Sequence, residues 1–99
     1  MASELRLRPR ARLDLEEIYA YSVSRWSPSR ADRYILALQA GMLAISGEPD
    51  LGRAIEGIEP LAMSYAVASH FVVYRPVAGG IDVLRILHRR MDVAARLRS

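Results

Sequence analysis

The stretch SHFVVYRPVAGGIDVLRILHRRMD, residues 69–92, decides the fold. It contains two runs rich in β-branched and aromatic residues, Phe71 to Val77 and Ile81 to Leu87, on either side of Gly79-Gly80. Two adjacent glycines favour a two-residue type I′ turn, because both central positions of that turn need positive φ. The stretch therefore predicts an antiparallel β-hairpin.

The register of this hairpin mixes polar and aliphatic side chains. A turn at Gly79-Gly80 sets Tyr74 opposite Arg85 and Phe71 opposite His88. Tyr74 and Arg85 then share a face with three aliphatic residues, which are Val72, Val83 and Leu87. An arginine beside a tyrosine in an apolar patch can anchor an acidic group, or its stem can simply stack on the ring. Both strands are apolar on both faces, so one face is covered either by the chain's own loop and C-terminus or by a partner.

The residues before the hairpin predict one strand and two helices. Glu4 to Arg8 alternates apolar and charged residues, as a half-buried strand does. Apolar residues spaced by three and four predict a helix from Pro9 to about Arg25. A second helix begins with Ser27 as N-cap and Pro28 at the first position, and Gly47 ends it. Its apolar residues also recur at spacings of three and four: Ala31, Tyr34, Ile35, Leu38, Met42 and Ile45. Because almost no linker separates them, the helices should form an antiparallel hairpin.

The remaining segments complete the predicted fold. Residues 48–62 predict a loop with at most one helical turn, Met63 to Val67 a strand, and Met91 to Leu97 a short helix. We expect one domain over residues 1–99. Its class is α+β, with an N-terminal strand and a helical hairpin packed on one face of a small antiparallel sheet, in the order β-α-α-β-β-β plus a short C-terminal helix.

Composition excludes several classes of protein. The 99 residues include no cysteine, which excludes thiol catalysis and thiolate metal sites. The two histidines lie 18 residues apart without a neighbouring carboxylate pair, so we expect no metal and no other cofactor. No apolar run is long enough to span a membrane, and residues 1–12 do not resemble a secretory signal. These observations predict a soluble cytoplasmic protein.

All fourteen basic residues are arginines, and the formal net charge is +3. Guanidinium groups bind carboxylate or phosphate in a bidentate manner, which favours an acidic partner, although a solvated basic surface gives the same charge. Five of the arginines fall within the last fifteen residues. The candidates for contact with a target are Arg89, Arg90, Met91, Arg96 and Arg98.

His88 is a candidate catalytic residue. It ends the last strand before two arginines, which could stabilise the charge of a phosphate while the imidazole acts as general acid or base. The competing interpretation is structural, with the imidazole satisfying a backbone group where the strand ends. We interpret the other polar and aromatic side chains as structural too: Asp14, Glu16 and Glu17 as a solvated helix face, Trp26, Tyr19, Tyr21 and Tyr34 as packing residues, and His70 as exposed.

Four motifs, taken in order, resemble a known family. They are DLEEIYAYSVSRW (residues 14–26), PDLGR (49–53), HFVVYR (70–75) and IDVLRILHRRMD (81–92). Over nearly the whole chain the sequence resembles ParE toxins of the RelE/ParE superfamily. The resemblance implies the toxin of a type II toxin-antitoxin pair that inhibits DNA gyrase by protein-protein contact, without chemistry of its own and without direct nucleic-acid or membrane binding.

The resemblance also implies a partner and a surface. The partner is a ribbon-helix-helix, ParD-like antitoxin whose acidic tail folds as it wraps around the toxin. The implied antitoxin groove contains Val72, Tyr74, Arg75, Val83, Arg85 and Leu87.

The chain departs from the family at one point. Where ParE members commonly have a Pro-Gly-x-Arg-like run, this sequence has Leu61 and Met63 at the Gly and Arg positions. Weaker toxicity, a changed target and a partner with a matching apolar residue would each account for this departure. Two other functions also stay open. One is a ribosome-dependent mRNA endoribonuclease of the RelE type that uses His88 and nearby arginines, and the other is a decayed, non-toxic module that still binds an antitoxin.

Overall fold

The computed structural model describes residues 3–98. Its elements are β1 (Glu4–Leu7), α1 (Pro9–Arg25), α2 (Pro28–Gly47), a 3₁₀ turn (Pro49–Leu51), β2 (Arg53–Ala54), β3 (Met63–Val67), β4 (His70–Val77), β5 (Gly80–His88) and α3 (Val93–Arg98). The predicted α+β class, helical hairpin and single helical turn after α2 are confirmed. The one element that the sequence did not predict is the two-residue strand β2.

The five strands form one sheet in the order β1-β5-β4-β3-β2. Strands β2 to β5 pair with their neighbours in antiparallel fashion, but β1 runs parallel to β5. The sheet is therefore mixed, and the prediction of a wholly antiparallel sheet is corrected for β1. Alternating residues define a strand and its buried face, but they carry no information on its direction relative to a distant strand.

Helices α1 and α2 pack on one face of the sheet. The side chain of Ser27 accepts a hydrogen bond from the Arg30 N–H at 3.2 Å, which confirms the predicted N-cap of α2. The buried cluster between helices and sheet consists of Ala11, Leu38, Met42, Ile45, Val72, Tyr74, Ile81, Val83 and Ile86. The apolar side of α2 that the sequence predicts, with Leu38, Met42 and Ile45, thus faces the sheet.

The turn of the hairpin lies one residue earlier than predicted. Val77 pairs with Gly80, so the turn residues are Ala78 and Gly79, and Gly79 has the positive φ of 81°. Gly80 is the first residue of β5, where an added Cβ would collide with the backbone of Glu4 in β1. The second glycine is therefore required by the close approach of β1 and not by the turn.

A bulge follows in the same hairpin and changes the pairing again. Tyr74 pairs with Val83, whereas the preceding residue, Val73, pairs with Arg85, so Leu84 is the extra residue. The predicted pair of Tyr74 with Arg85 is wrong, and so is the pair of Phe71 with His88, because one shift and one bulge separate the predicted register from the real one.

Tyr74 fixes the loop that follows α2. Its hydroxyl group donates a hydrogen bond to the Pro49 carbonyl and accepts one from the Gly52 N–H at 3.0 Å. A Cβ on Gly52 would overlap this hydroxyl group. Glycine in the PDLGR motif is thus explained by the close approach of a buried tyrosine, and burial raises the pKa of Tyr74.

Asp14 joins α1 to the edge of the sheet. Strand β1 ends at Leu7, so beyond Val83 the edge of β5 has no strand partner. There the carboxylate of Asp14 accepts hydrogen bonds from the Ile86 N–H at 2.8 Å and from Nε of Arg85 at 2.9 Å. The side chain of Asp14 is only 5% exposed and that of Arg85 17%. The prediction that Asp14 belongs to a solvated helix face is wrong, because α1 turns it toward β5.

Replacing Asp14 by alanine should therefore destabilise the protein by about 3 kcal/mol, because it leaves a mostly buried guanidinium and a backbone N–H without their acceptor. Glu17→Ala is the matched control, since the Glu17 side chain is 63% exposed and should change stability by less than about 0.5 kcal/mol. Urea denaturation of both variants measures the difference. Equal losses in the two variants would show that the Asp14 contacts contribute nothing.

Candidate functional site

The six residues of the predicted antitoxin groove do not share a surface. Val72, Tyr74 and Val83 are 0% exposed and lie in the core on the helix side. Leu87 pairs with Phe71, next to the core pair Val72–Ile86. Because successive side chains of a strand point to opposite faces, Leu87 lies on the side of the sheet away from the helices. Its neighbour Arg85 is bound to α1 through Asp14. The single groove is wrong as a geometric prediction; the antitoxin-binding role of the residues outside the core stays a prediction.

The sheet has a second side, which we name the outer sheet face. Strand alternation assigns to it Arg53 of β2, Ser64 and Ala66 of β3, Phe71, Val73 and Arg75 of β4, Asp82 and Leu87 of β5, and Arg6 of β1. No helix of the α1–α2 hairpin packs on this side. It presents apolar side chains in the middle and arginines toward both edges.

The chain itself covers part of the outer sheet face. Val73 and Leu87 are buried on this side, and Ile58 and Ala62 of the long loop are buried as well. The loop approaches β4 where Nη2 of Arg75 donates to the Pro60 carbonyl over 3.4 Å. The guanidinium of Arg89 lies 5.6 Å from the centre of the Phe71 ring. The loop and the residues after β5 therefore account for part of the second apolar side.

Arg75 is the residue of this face with unused hydrogen-bonding capacity. Within residues 3–98, its Nε is the only buried side-chain nitrogen or oxygen that lacks a hydrogen-bond partner. Asp82, which pairs with Arg75 across the hairpin, is bound by Nε of Arg8 at 2.8 Å. A buried donor without an acceptor is costly and rare in folded proteins. The outer sheet face thus offers a guanidinium donor beside apolar side chains.

The two histidines meet at the opposite end of the hairpin. His70 and His88 are cross-strand partners, with their rings edge to face and 5.3 Å between centres. Nδ1 of His70 is 2.6 Å from the hydroxyl group of Tyr34, which also accepts the Ser69 N–H at 3.0 Å. His70 is half-buried, so the prediction that it is exposed is wrong. Packing against Tyr34 and His88 is the cause.

His88 has the structural role that competed with catalysis. Its Nδ1 accepts a hydrogen bond from the Arg90 N–H at 3.1 Å, just where β5 ends. This confirms the interpretation that the imidazole satisfies a backbone group at the end of the strand. One ring nitrogen of each histidine is therefore occupied by a structural hydrogen bond, in His70 to Tyr34 and in His88 to Arg90.

An open cleft of about 530 Å³ borders the histidine pair. Its walls include Tyr34, Tyr21, Trp26 and Met91. Trp26 is 47% exposed and Tyr21 is 61% exposed, so these two residues do not pack in the core. The prediction of packing within the helical hairpin is confirmed for Trp26, whose ring centre lies 6.5 Å from that of Tyr34. Tyr19 and Tyr21 are two residues apart on α1, so their side chains point about 160° apart around the helix, a spacing that argues against both facing the core.

The predicted target-contact residues divide between two surfaces. Arg89 follows β5 and lies over Phe71 of the outer sheet face, and it also donates to the Ala68 carbonyl at 3.3 Å. Met91 lines the cleft beside the histidines. Arg90, between them in the chain, is exposed, while Arg96 and Arg98 lie on α3. Their contact with a target stays a prediction.

The two residues at which the sequence departs from the family pattern have different environments. Met63 lies in β3, is half-buried and packs against the core cluster, whereas Leu61 is exposed in the loop. Met63 faces the helix side of the sheet, since it pairs with Tyr74. A methionine at this position therefore extends the core and leaves the outer sheet face unchanged.

Two kinds of site are missing from the described part of the chain. No group of three or more histidine, aspartate or glutamate side chains within residues 3–98 could hold a metal ion. None of the helices in that range is both long enough and apolar enough to cross a membrane.

Comparison with known proteins agrees with this fold. A family model described as ParE toxin of type II toxin-antitoxin system, parDE, matches residues 5–93. The chain therefore belongs to the ParE toxin family. It is 38% identical over 98 residues to Toxin ParE1 of Mycobacterium tuberculosis (strain ATCC 25618 / H37Rv), covering 98% of this chain and 100% of that protein.

Two further relatives extend the comparison. Toxin ParE1 of Caulobacter vibrioides (strain ATCC 19089 / CIP 103742 / CB 15) is 36% identical over 92 residues, which cover 93% of this chain and 95% of that protein. A solved structure titled "Chromosomal ParDE TA system from P. aeruginosa" aligns with a TM-score of 0.74 at 18% identity, covering 88% of this chain and 96% of the other. The likeness to the solved structure supports the fold.

The environment of His70 predicts a dependence of stability on pH. Burial, with a smaller contribution from His88, lowers the pKa of His70 below its ordinary value of about 6.5. As pH falls, the imidazole of the unfolded chain therefore binds a proton before that of the folded protein does. The contribution of His70 to the free energy of unfolding is complete above pH 6.5 and is lost as pH falls toward the lower pKa of the folded state.

Urea denaturation between about pH 7.5 and pH 5 should therefore show falling stability in the wild-type protein, with a smaller fall in His70→Gln. NMR titration of the imidazole gives the pKa directly. A His70 pKa at or above 6.5 in the folded protein would contradict the prediction.

Proposed function

We propose that this chain is a growth-arresting toxin that acts in the bacterial cytoplasm by binding DNA gyrase. We further propose that a ribbon-helix-helix, ParD-like antitoxin neutralises it by placing an acidic, amphipathic segment on the outer sheet face. Membership of the ParE toxin family supports the general function. The observation that carries the proposed binding mode is the buried Nε of Arg75, which lacks an acceptor within the described residues.

The chemistry of the outer sheet face matches such a segment. A carboxylate of the antitoxin would supply the acceptor that Arg75 lacks, and a hydrogen bond to a charged group contributes about 1.5 to 3 kcal/mol. Apolar side chains of the same segment would pack against Phe71 and displace part of the loop at Pro60. A disordered acidic tail that folds on binding can make both kinds of contact in one extended segment.

The proposed contact with gyrase relies on the residues after β5. Arg90 is exposed and Met91 is 40% exposed, so an arginine and a flexible apolar side chain are both accessible at one corner of the molecule. Arginine and methionine are enriched in protein-protein interfaces. Binding through this corner requires no catalytic group, which agrees with the structural hydrogen bond that His88 makes.

A supercoiling assay with purified gyrase tests this function. The purified chain should inhibit supercoiling or cause cleaved DNA to accumulate, and Arg90→Glu should weaken the inhibition because it reverses the charge at the proposed contact. Arg12→Glu, an exposed change on α1, is the matched control and should inhibit as the wild type does. Unimpaired supercoiling at a large excess of the chain would overturn gyrase as the target.

Removing the guanidinium of Arg75 should weaken antitoxin binding by about tenfold or more, since one charge-assisted hydrogen bond is lost. Isothermal titration of Arg75→Met against the cognate antitoxin measures the change in affinity. Arg12→Met removes an arginine from α1 and should leave the affinity unchanged. Equal affinities for Arg75→Met and Arg12→Met would show that the acidic segment does not bind at Arg75.

One observation favours a second candidate function, cleavage of mRNA on the ribosome. His70 and His88 are in contact at an open cleft, and the lowered pKa of His70 suits a general base beside a general acid. Exposed Trp26 and Tyr21 would stack on bases. Cleaved messages in cells that express the chain, and their loss in His88→Ala, would favour this function over gyrase inhibition.

A further inference from the structure

The exposed side of α2 lacks charge over most of its length. The fourteen residues from Tyr34 to Gly47 include no charged side chain, although the helix lies on the surface. Leu36 is 61% exposed and Leu43 is 62% exposed. Solvent-facing sides of helices in globular proteins are normally polar or charged, as on α1. An uncharged helix side with two protruding leucines is therefore a candidate interface.

The exposed apolar residues form one continuous line, which we name the α2 stripe. Leu36, Ala40 and Leu43 are its centre, with Ala37 and Ala44 beside them, and all five are exposed. Their spacing of three and four residues places them on one side of the helix. Leu38, Met42 and Ile45 occupy the opposite side, against the sheet. The α2 stripe thus points away from the molecule.

The charges at the two ends of the α2 stripe have opposite sign. Arg33 lies seven residues before Ala40 and Glu48 lies eight residues after it. Arg30 and Asp50 lie ten residues before and ten residues after the same alanine. An antiparallel pair of identical helices that cross at Ala40 would bring Arg33 of one copy to within about one helical rise, ~1.5 Å along the axis, of Glu48 in the other.

Such a pair is complementary at its centre and in its Arg33–Glu48 contacts, while Asp32, which also lies at the basic end, accepts a hydrogen bond from Tyr19 of α1 at 2.9 Å. Leu36 of one copy meets the region of Leu43 and Ala44 in the other, and the small side chain of Ala40 allows the two backbones to approach closely. The basic end of each helix meets the acidic end of its partner twice, as twofold symmetry requires. A parallel pair would place Arg33 beside Arg33 and is therefore disfavoured.

We propose that the α2 stripe is a self-association surface on which a second copy of this chain packs, with the two α2 helices antiparallel. A single helix pair buries far less than the roughly 800 Å² per partner of a stable interface, so the dimer is weak and forms at high local concentration. The α2 stripe and the outer sheet face lie on opposite sides of the molecule, so a dimer leaves the outer sheet face accessible.

Sedimentation equilibrium of the purified full chain over increasing concentration tests the proposal. The weight-average mass of the wild type should rise toward that of a dimer. Leu43→Arg should keep the protein monomeric because it places a charge in the α2 stripe. Leu13→Arg is the matched control, since Leu13 is an exposed leucine of α1, and it should associate as the wild type does. Circular dichroism verifies that both variants are folded.

A charge exchange provides a second test that does not depend on apolar substitutions. Arg33→Glu and Glu48→Arg should each weaken self-association, because each variant brings like charges together across the twofold axis. An equimolar mixture of the two variants should associate about tenfold more tightly than either alone, since both pairs are then complementary.

Several results would overturn the proposal. A wild-type chain that stays monomeric at the highest concentration would do so, and so would a Leu43→Arg variant that associates as well as Leu13→Arg. A mixture of the charge variants that associates no better than its components would exclude the antiparallel arrangement. If the wild type is also monomeric and Leu43→Arg weakens antitoxin binding, the α2 stripe binds the antitoxin and not a second copy of the chain.

Discussion

The carboxylate of Asp14 takes the place of a strand partner along the part of β5 that β1 does not reach. Strand β1 pairs only with the first part of β5, and farther along β5 an aspartate of α1 accepts the Ile86 N–H at 2.8 Å that a neighbouring strand would otherwise accept. The same carboxylate neutralises Arg85. Without these bonds α1 would have a buried donor and a buried cation beneath it, and the helical hairpin would lack its fixed position on the sheet.

The position of α1 decides which surfaces remain available. Both long helices lie on one side of the sheet, and the described residues supply only a loop and the segment after β5 to cover the other. The start of that loop is fixed by Tyr74, a core residue of the sheet. Its hydroxyl group makes hydrogen bonds to the backbone of Pro49 and Gly52. Farther along, it makes one long hydrogen bond to Arg75. The outer sheet face is thus partly covered and keeps a buried donor without an acceptor, which suits an acidic partner.

Much of the fold follows from local patterns in the sequence. The three- and four-residue spacing in α2, Ser27 as its N-cap and the β-branched runs around the turn each determine a structure within a few residues. The register of the hairpin cannot be predicted from such local patterns. Gly80 is not a turn residue, and a glycine is needed there because the backbone of Glu4, far away in sequence, lies against it. Asp14 has an arginine four residues before it, which is a common pattern on solvated helix faces. Its burial depends on the free edge of β5 at Ile86, which cannot be predicted from the local sequence.

The candidate site was predictable only in its components. Arg75 and Leu87 were assigned to the antitoxin groove through the family resemblance, but the bulge at Leu84 decides which neighbours share their side. Tyr21 lies on α1 and Trp26 directly follows it, so their exposure depends on how α1 packs against the sheet and α2. Family motifs located the important segments, while the roles of individual residues needed the three-dimensional contacts.

We propose that the side of the sheet away from the helices receives the partner. Hydrogen-deuterium exchange of the full chain, with and without its cognate antitoxin, tests this most directly. Our account predicts slower exchange in the loop of residues 55–62 and in residues 89–91, with little change in α2. Protection confined to α2, with the loop exchanging as fast as in the unbound chain, would contradict it.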